Sequence, residues 1–112
     1  MSLRIIIADD EAVIRMGLRT MLEERGYQVV GEAGDGKRVL DLVEKMHPDL
    51  VFLDIKMPGL DGLAVAQQLT ETHSVPVILL TAYAERSLVD RARQAGVMGY
   101  LMKPLRETDL EP

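Results

Sequence analysis

The sequence predicts a doubly wound α/β sandwich, and three of its features carry that prediction. Short apolar runs rich in branched residues alternate with stretches whose apolar residues recur at helical spacing. Turn residues separate them at short intervals, which favours parallel strands joined by right-handed crossovers, with helices on both faces of the sheet. The run Leu50-Val51-Phe52-Leu53 is apolar without alternation, as a strand buried on both faces should be, and it stops abruptly at Asp54.

In chain order, Leu3 to Ala8 reads as the first strand and ends at Asp9-Asp10-Glu11. Ile14, Leu18, Met21 and Leu22 fall on one face of a helix that Gly26 stops. Val29 and Val30 mark a second strand, closed by Gly34-Asp35-Gly36. Val39, Leu42, Val43 and Met46 make a second amphipathic helix, ended by His47-Pro48 because the residue before proline resists helical geometry. The Asp54 strand follows, then Asp61-Gly62, read as turn chemistry, and a third helix carrying Leu63, Ala66 and Leu69. Pro76 to Thr81 is the fourth strand, and Leu88, Val89, Ala92 and Ala95 line a fourth helix closed by Gly96. Gly99 to Met102 is the fifth strand and ends at Lys103-Pro104. Thr108-Asp109-Leu110-Glu111 spells a capping box, so a fifth helix opens just before the chain stops at Pro112.

Composition narrows the chemistry. The chain has 112 residues, 47% of them hydrophobic, enough for one core, and the expected organisation is one domain over 1–112 with no effector domain. Cysteine is absent, which removes disulfides, thiolate metal sites and thiol nucleophiles. A net charge of -5 without a basic stripe argues against direct nucleic-acid binding by this segment. Without a membrane-length apolar run or a signal sequence, the expected setting is the cytoplasm, with no membrane partner.

In an open α/β sheet the chemistry gathers beyond the carboxyl ends of the strands. Those ends carry Asp9-Asp10, Asp54, Thr81 and Lys103. Three carboxylates at one edge need a cation between them, and an oxygen-only ligand set suits Mg²⁺, or Mn²⁺ in its place. A nucleophilic carboxylate, a divalent cation, a hydroxyl and an ammonium are together what a transferred phosphoryl group requires. Asp54 would attack phosphorus and become an acyl phosphate, with Thr81 donating a hydrogen bond to one phosphoryl oxygen and Lys103 pairing with another.

Four stretches, Ala8 to Glu11, Leu53 to Gly62, Leu80 to Ala82 and Tyr100 to Pro104, together resemble the receiver domain of two-component response regulators. The resemblance implies a flavodoxin-like five-stranded sheet of order 2-1-3-4-5. It implies a regulatory phosphoacceptor, not an enzyme acting on a separate substrate, which takes its phosphoryl group from a sensor histidine kinase or a phosphotransfer protein and signals to a downstream effector domain or protein. Asp54 matches the phosphoacceptor, Asp10 the direct metal ligand, and Asp9 a residue acting mainly through metal-bound water. Lys56 matches the position whose backbone carbonyl ligates the metal. Thr81 and Tyr100 match the switch pair, and Lys103 the phosphate-binding lysine. Pro58 and Gly59 shape the loop after Asp54, and Pro104 matches a cis peptide that would help aim Lys103.

A phosphoryl group on Asp54 would draw the Thr81 hydroxyl inward and let Tyr100 rotate from outside to inside. Lys56 and Tyr83, each two residues beyond a site residue, match positions that tune how fast water removes the phosphoryl group. Residues Thr81 to Glu85 and Leu88 to Tyr100 are further similar to receivers that precede an ANTAR domain, an RNA-binding antitermination module that these residues do not include. The fifth helix is cut short after its opening turn, and the apolar flank it would cover implies self-association.

Other readings fit less well. Asp9-Asp10 alone could cap a helix. Gly31 to Arg38 nearly spells a P-loop, but Arg38 stands where Ser or Thr should hold Mg²⁺. An aspartyl phosphatase would want a second acid two residues after the nucleophile, where Lys56 stands. A binding-only module would lack a site residue, and none is missing. His47 and His73 have no paired metal spacing and receive no role.

Overall fold

The structure, a computed structural model, describes residues 2–57, 61–82 and 86–103. Strand and helix alternate without exception: β1 Arg4–Ala8, α1 Ala12–Glu24, β2 Gln28–Ala33, α2 Gly36–Met46, β3 Leu50–Asp54, α3 Gly62–Thr72, β4 Val77–Thr81, α4 Arg86–Gln94 and β5 Gly99–Met102. The strands form one sheet of order β2-β1-β3-β4-β5, and every pairing is parallel. Fold class, strand order and the five strands and four helices expected before Lys103 are as the sequence predicts.

Alternate residues of the central strands feed two cores. Ile6, Ala8, Val51, Leu53, Val77 and Leu79 pack with Val39 and Val43 of α2 and Leu63, Val65, Ala66 and Leu69 of α3. Ile5, Ile7, Phe52 and Leu80 pack on the other face with Leu18 and Leu22 of α1. Because both faces are covered, β3 is apolar from Leu50 to Leu53, and Val51, Phe52 and Leu53 are all buried.

Helix ends follow local chemistry. Gly26 and Gly96 take positive φ after α1 and α4, the left-handed conformation glycine adopts without penalty. His47 ends α2 in the left-handed region, directly before Pro48. Asp35 caps α2 by accepting from the Arg38 N–H, so the glycine-rich stretch that nearly spells a P-loop is a helix start.

Asp61-Gly62 is more than a turn. Asp61 caps α3 by accepting from the Leu63 N–H, and Gly62 is the first residue of that helix. A Cβ on Gly62 would stand 2.7 Å from Ile55 Cα and closer still to the Ile55 carbonyl oxygen. Only glycine lets α3 come this near the backbone that follows Asp54. Pro58, Gly59, Tyr83, Pro104 and the Thr108 to Glu111 helix start lie outside the described residues.

Candidate functional site

Register brings the site together. Ala8 pairs with Leu53, so Asp9 leaves β1 beside Asp54 at the end of β3. Asp54 pairs with Leu80 and Thr81 with Met102, and the Lys103 N–H donates to the Thr81 carbonyl at 2.8 Å, one step beyond β5. Asp9, Asp54 and Thr81 are the buried polar residues among those described. Asp10, Asp54, Thr81 and Lys103 line one crevice of about 240 Å³, with Glu11 and Lys56 at its side.

The two buried carboxylates are used alike. Asp9 Oδ1 accepts from the Glu11 N–H at 2.9 Å, and Asp54 Oδ1 accepts from the Lys56 N–H at 3.2 Å. The second oxygens face Lys103, whose Nζ lies 2.6 Å from Asp9 Oδ2 and 3.3 Å from Asp54 Oδ2. Asp9 Oδ2 is buried without a well-aligned hydrogen bond, so its contact with the ammonium is one of charge.

Burial raises the Asp54 pKa, and the Asp9 carboxylate raises it further, against the opposing pull of Lys103 and the Lys56 N–H. Burial works against the Lys103 charge, but Asp9 and Asp54 outweigh it and the Lys103 pKa is raised. One ammonium therefore serves two carboxylates, and the site carries more negative charge than it neutralises.

A stability consequence follows from Asp54. A carboxyl whose folded pKa is raised stabilises the fold fully below its unfolded pKa and loses that contribution as pH rises through the folded value. At neutral pH ionised Asp54 is thus a cost, and Asp54→Asn is expected to raise the metal-free Tm by a few degrees, at roughly 4–8 °C per kcal/mol. The gain should shrink at a pH below the ordinary carboxylate range, where the wild-type carboxyl is already neutral. Melting curves at two pH values without divalent cations check it.

The donor set fits a hard divalent cation. Asp9, Asp10 and Asp54 each offer one carboxylate oxygen, all within 4.8 Å of one another, and one of the buried oxygens lacks a hydrogen bond. Asp10 is exposed and opens the group to solvent. The capping alternative for Asp9-Asp10 does not hold as expected. The α1 cap position is Glu11, which makes no side-chain cap bond, and Asp9 serves the turn ahead of it.

Tyr100 stands apart from the crevice. It lies on β5 opposite Leu79 of β4 and is 44% exposed. His47 and His73 lie at the ends of α2 and α3, away from the carboxylates. Sequence reading passed over Arg15 and Glu32, which meet behind Asp9: Arg15 Nη1 donates to the Asp9 carbonyl at 2.6 Å and Arg15 Nε to Glu32 Oε1 at 3.1 Å.

A flavodoxin-like sheet with an acidic, lysine-paired crevice at its carboxyl edge defines a class, and comparison with known proteins gives the family. The response regulator receiver domain profile matches residues 5–112. The chain belongs to that family, the receiver domains of two-component response regulators. It is 50% identical over 109 residues to the transcriptional regulatory protein PdtaR of Mycobacterium tuberculosis, covering 97% of this chain and 53% of that protein. It is 37% identical over 101 residues to the transcriptional regulatory protein YdfI of Bacillus subtilis, covering 89% of this chain and 47% of that one. The chain thus spans about half the length of these relatives. Among solved structures, the signal receiver domain of NarL from Mycobacterium tuberculosis superposes with a TM-score of 0.90 at 36% identity, over 96% of this chain and 88% of that one.

Proposed function

We propose that this receiver domain is a phosphorylation-dependent switch in which Asp54 accepts a phosphoryl group from a phosphohistidine. The observation that carries the reading is the convergence of Asp10, Asp54, Thr81 and Lys103 from four strand ends on one crevice, with buried Asp9 against Lys103. An Asp54 carboxylate oxygen forms the new bond to phosphorus while the phosphorus–nitrogen bond of the donor breaks. The electron pair leaves on the imidazole nitrogen while the other ring nitrogen carries a proton, and the products are an acyl phosphate and a neutral histidine.

Asp9, Asp10 and Asp54 would hold the cation, Mg²⁺ or Mn²⁺, with the Lys56 carbonyl as a further ligand. When bound, it offsets the negative charge that otherwise opposes the approach of an anionic phosphoryl group. Lys103, held at 13% side-chain exposure against Asp9 and Asp54, supplies fixed positive charge within the crevice. Thr81 lies in the same crevice and reads the phosphoryl oxygens through its hydroxyl, and Tyr100 turns inward to change the surface of α4 and β5. Lys56 and Tyr83 set the lifetime.

The donor is a sensor histidine kinase or a phosphotransfer protein, and a phosphohistidine made from ATP places the exchange in the cytoplasm. No helix among the described residues is long and apolar enough to cross a membrane. The output is a downstream effector domain or protein. The similarity to PdtaR, named as a transcriptional regulator, supports an output in gene expression, of the antitermination kind suggested by residues Thr81 to Glu85 and Leu88 to Tyr100.

Incubation with a radiolabelled phosphohistidine phosphotransfer protein and Mg²⁺ tests the reading. Label should move to the wild-type chain and not to Asp54→Ala. Label retained on histidine at every Mg²⁺ concentration would contradict it.

A further inference from the structure

We propose that Arg15 and Glu32 form a positioning couple that aims the Asp9-Asp10 arm at the divalent cation. The inference rests on the metal-dependent reading above. Asp9 and Asp10 lie past the last residue of β1, so the sheet alone does not fix them. Three of the four polar groups of Asp9 are nevertheless held by protein. Its N–H donates to the Ala33 carbonyl at 3.0 Å, its carbonyl accepts from Arg15 Nη1 at 2.6 Å, and Oδ1 accepts from the Glu11 N–H at 2.9 Å. Only Oδ2 is left to face positive charge.

Arg15 is held in turn. Its Nε pairs with Glu32 Oε1 at 3.1 Å, and Glu32 Oε2 pairs with Arg19 Nη1 at 2.5 Å. Glu32 directly precedes Ala33, so the residue that orients the guanidinium neighbours the residue that binds the Asp9 N–H. Both side chains are sheltered, at 22% and 26% exposure, unlike the solvent-exposed ion pair between Arg91 and Asp61. The fixed fork of a guanidinium can hold a carboxylate on one nitrogen and a carbonyl on another, whereas a lysine ammonium on this stem offers a single point of charge. Groups that orient metal ligands without touching the metal typically change affinity about 10–100-fold when removed.

Charge alone predicts the opposite sign. Removing a cation beside an acidic cluster should tighten Mg²⁺ binding through space, whereas loss of positioning should weaken it. Calorimetric titration of Mg²⁺ into metal-free wild type, Arg15→Ala, Arg15→Lys and Arg19→Ala separates the two. The expected result is Mg²⁺ binding about tenfold weaker in Arg15→Ala and weakened also in Arg15→Lys, where net charge is kept and folding is safer. Amide resonances of Asp10 and Glu11 should shift in the metal-free Arg15→Lys protein. Arg19→Ala, which removes the second clamp on Glu32 but leaves the Arg15–Asp9 contact in place, should weaken Mg²⁺ binding less than Arg15→Ala does while melting lower. Wild-type affinity in Arg15→Lys, or tighter binding in Arg15→Ala, overturns the inference alone. A wild-type chain that takes up no Mg²⁺ overturns the metal reading and the inference with it.

Discussion

Lys103→Ala is expected to melt more than about 10 °C below wild type in metal-free buffer and to accept phosphoryl groups about 100-fold more slowly. Lys103 Nζ is the only cation placed against Asp9 Oδ2 and Asp54 Oδ2 among the described residues. Without it two buried carboxylates face each other unpaired, a loss on the order of 3 kcal/mol. The raised Lys103 pKa gives the sign: the ammonium stabilises the fold throughout the neutral range, and that contribution disappears only as pH rises through its folded pKa. Mg²⁺ should recover part of the lost stability, because a cation bound by the same carboxylates again offsets their charge, yet the transfer rate should stay low. Melting curves with and without Mg²⁺, beside a time course of phosphoryl uptake, read both effects. An unaltered Tm in metal-free buffer would show that the lysine does not neutralise the pair.

Gly62→Ala is expected to destabilise the fold by about 2–4 kcal/mol, although it adds one methyl group. The new Cβ would meet the backbone of Ile55, which cannot swing aside as the end of a flexible side chain can. Relief requires α3 to retreat from the sheet or the segment after Asp54 to shift. Either movement disturbs Val65, Ala66 and Leu69 in the core or Ile55 and Lys56 beside the crevice. Phosphoryl uptake should therefore fall even at saturating Mg²⁺. Wild-type Tm in this variant would mean that α3 does not need its close approach.

Much of this site was legible because its residues stand where apolar runs end. Asp9, Asp54, Thr81 and Lys103 each terminate a strand or follow one directly, and parallel strands carry all such ends to one edge. The pairing of Arg15 with Glu32 was not legible, since 17 residues separate them and no local pattern links a helix arginine to a strand glutamate. Gly62 was read as a turn residue, because close approach to Ile55 is a property of packing and Asp-Gly carries the same letters in a turn. The exposure of Tyr100 and Met102 on the edge strand β5 was not legible either, since its four residues, Gly-Tyr-Leu-Met, include no charged group to mark the open face.

The most direct test of the phosphoacceptor assignment is the intact mass of the chain after incubation with Mg²⁺ and acetyl phosphate, beside Asp54→Ala and a metal-free control. A gain of one phosphoryl group is expected in the wild type alone, and only when Mg²⁺ is present. An equal gain in Asp54→Ala, or no gain in any sample, would contradict the assignment.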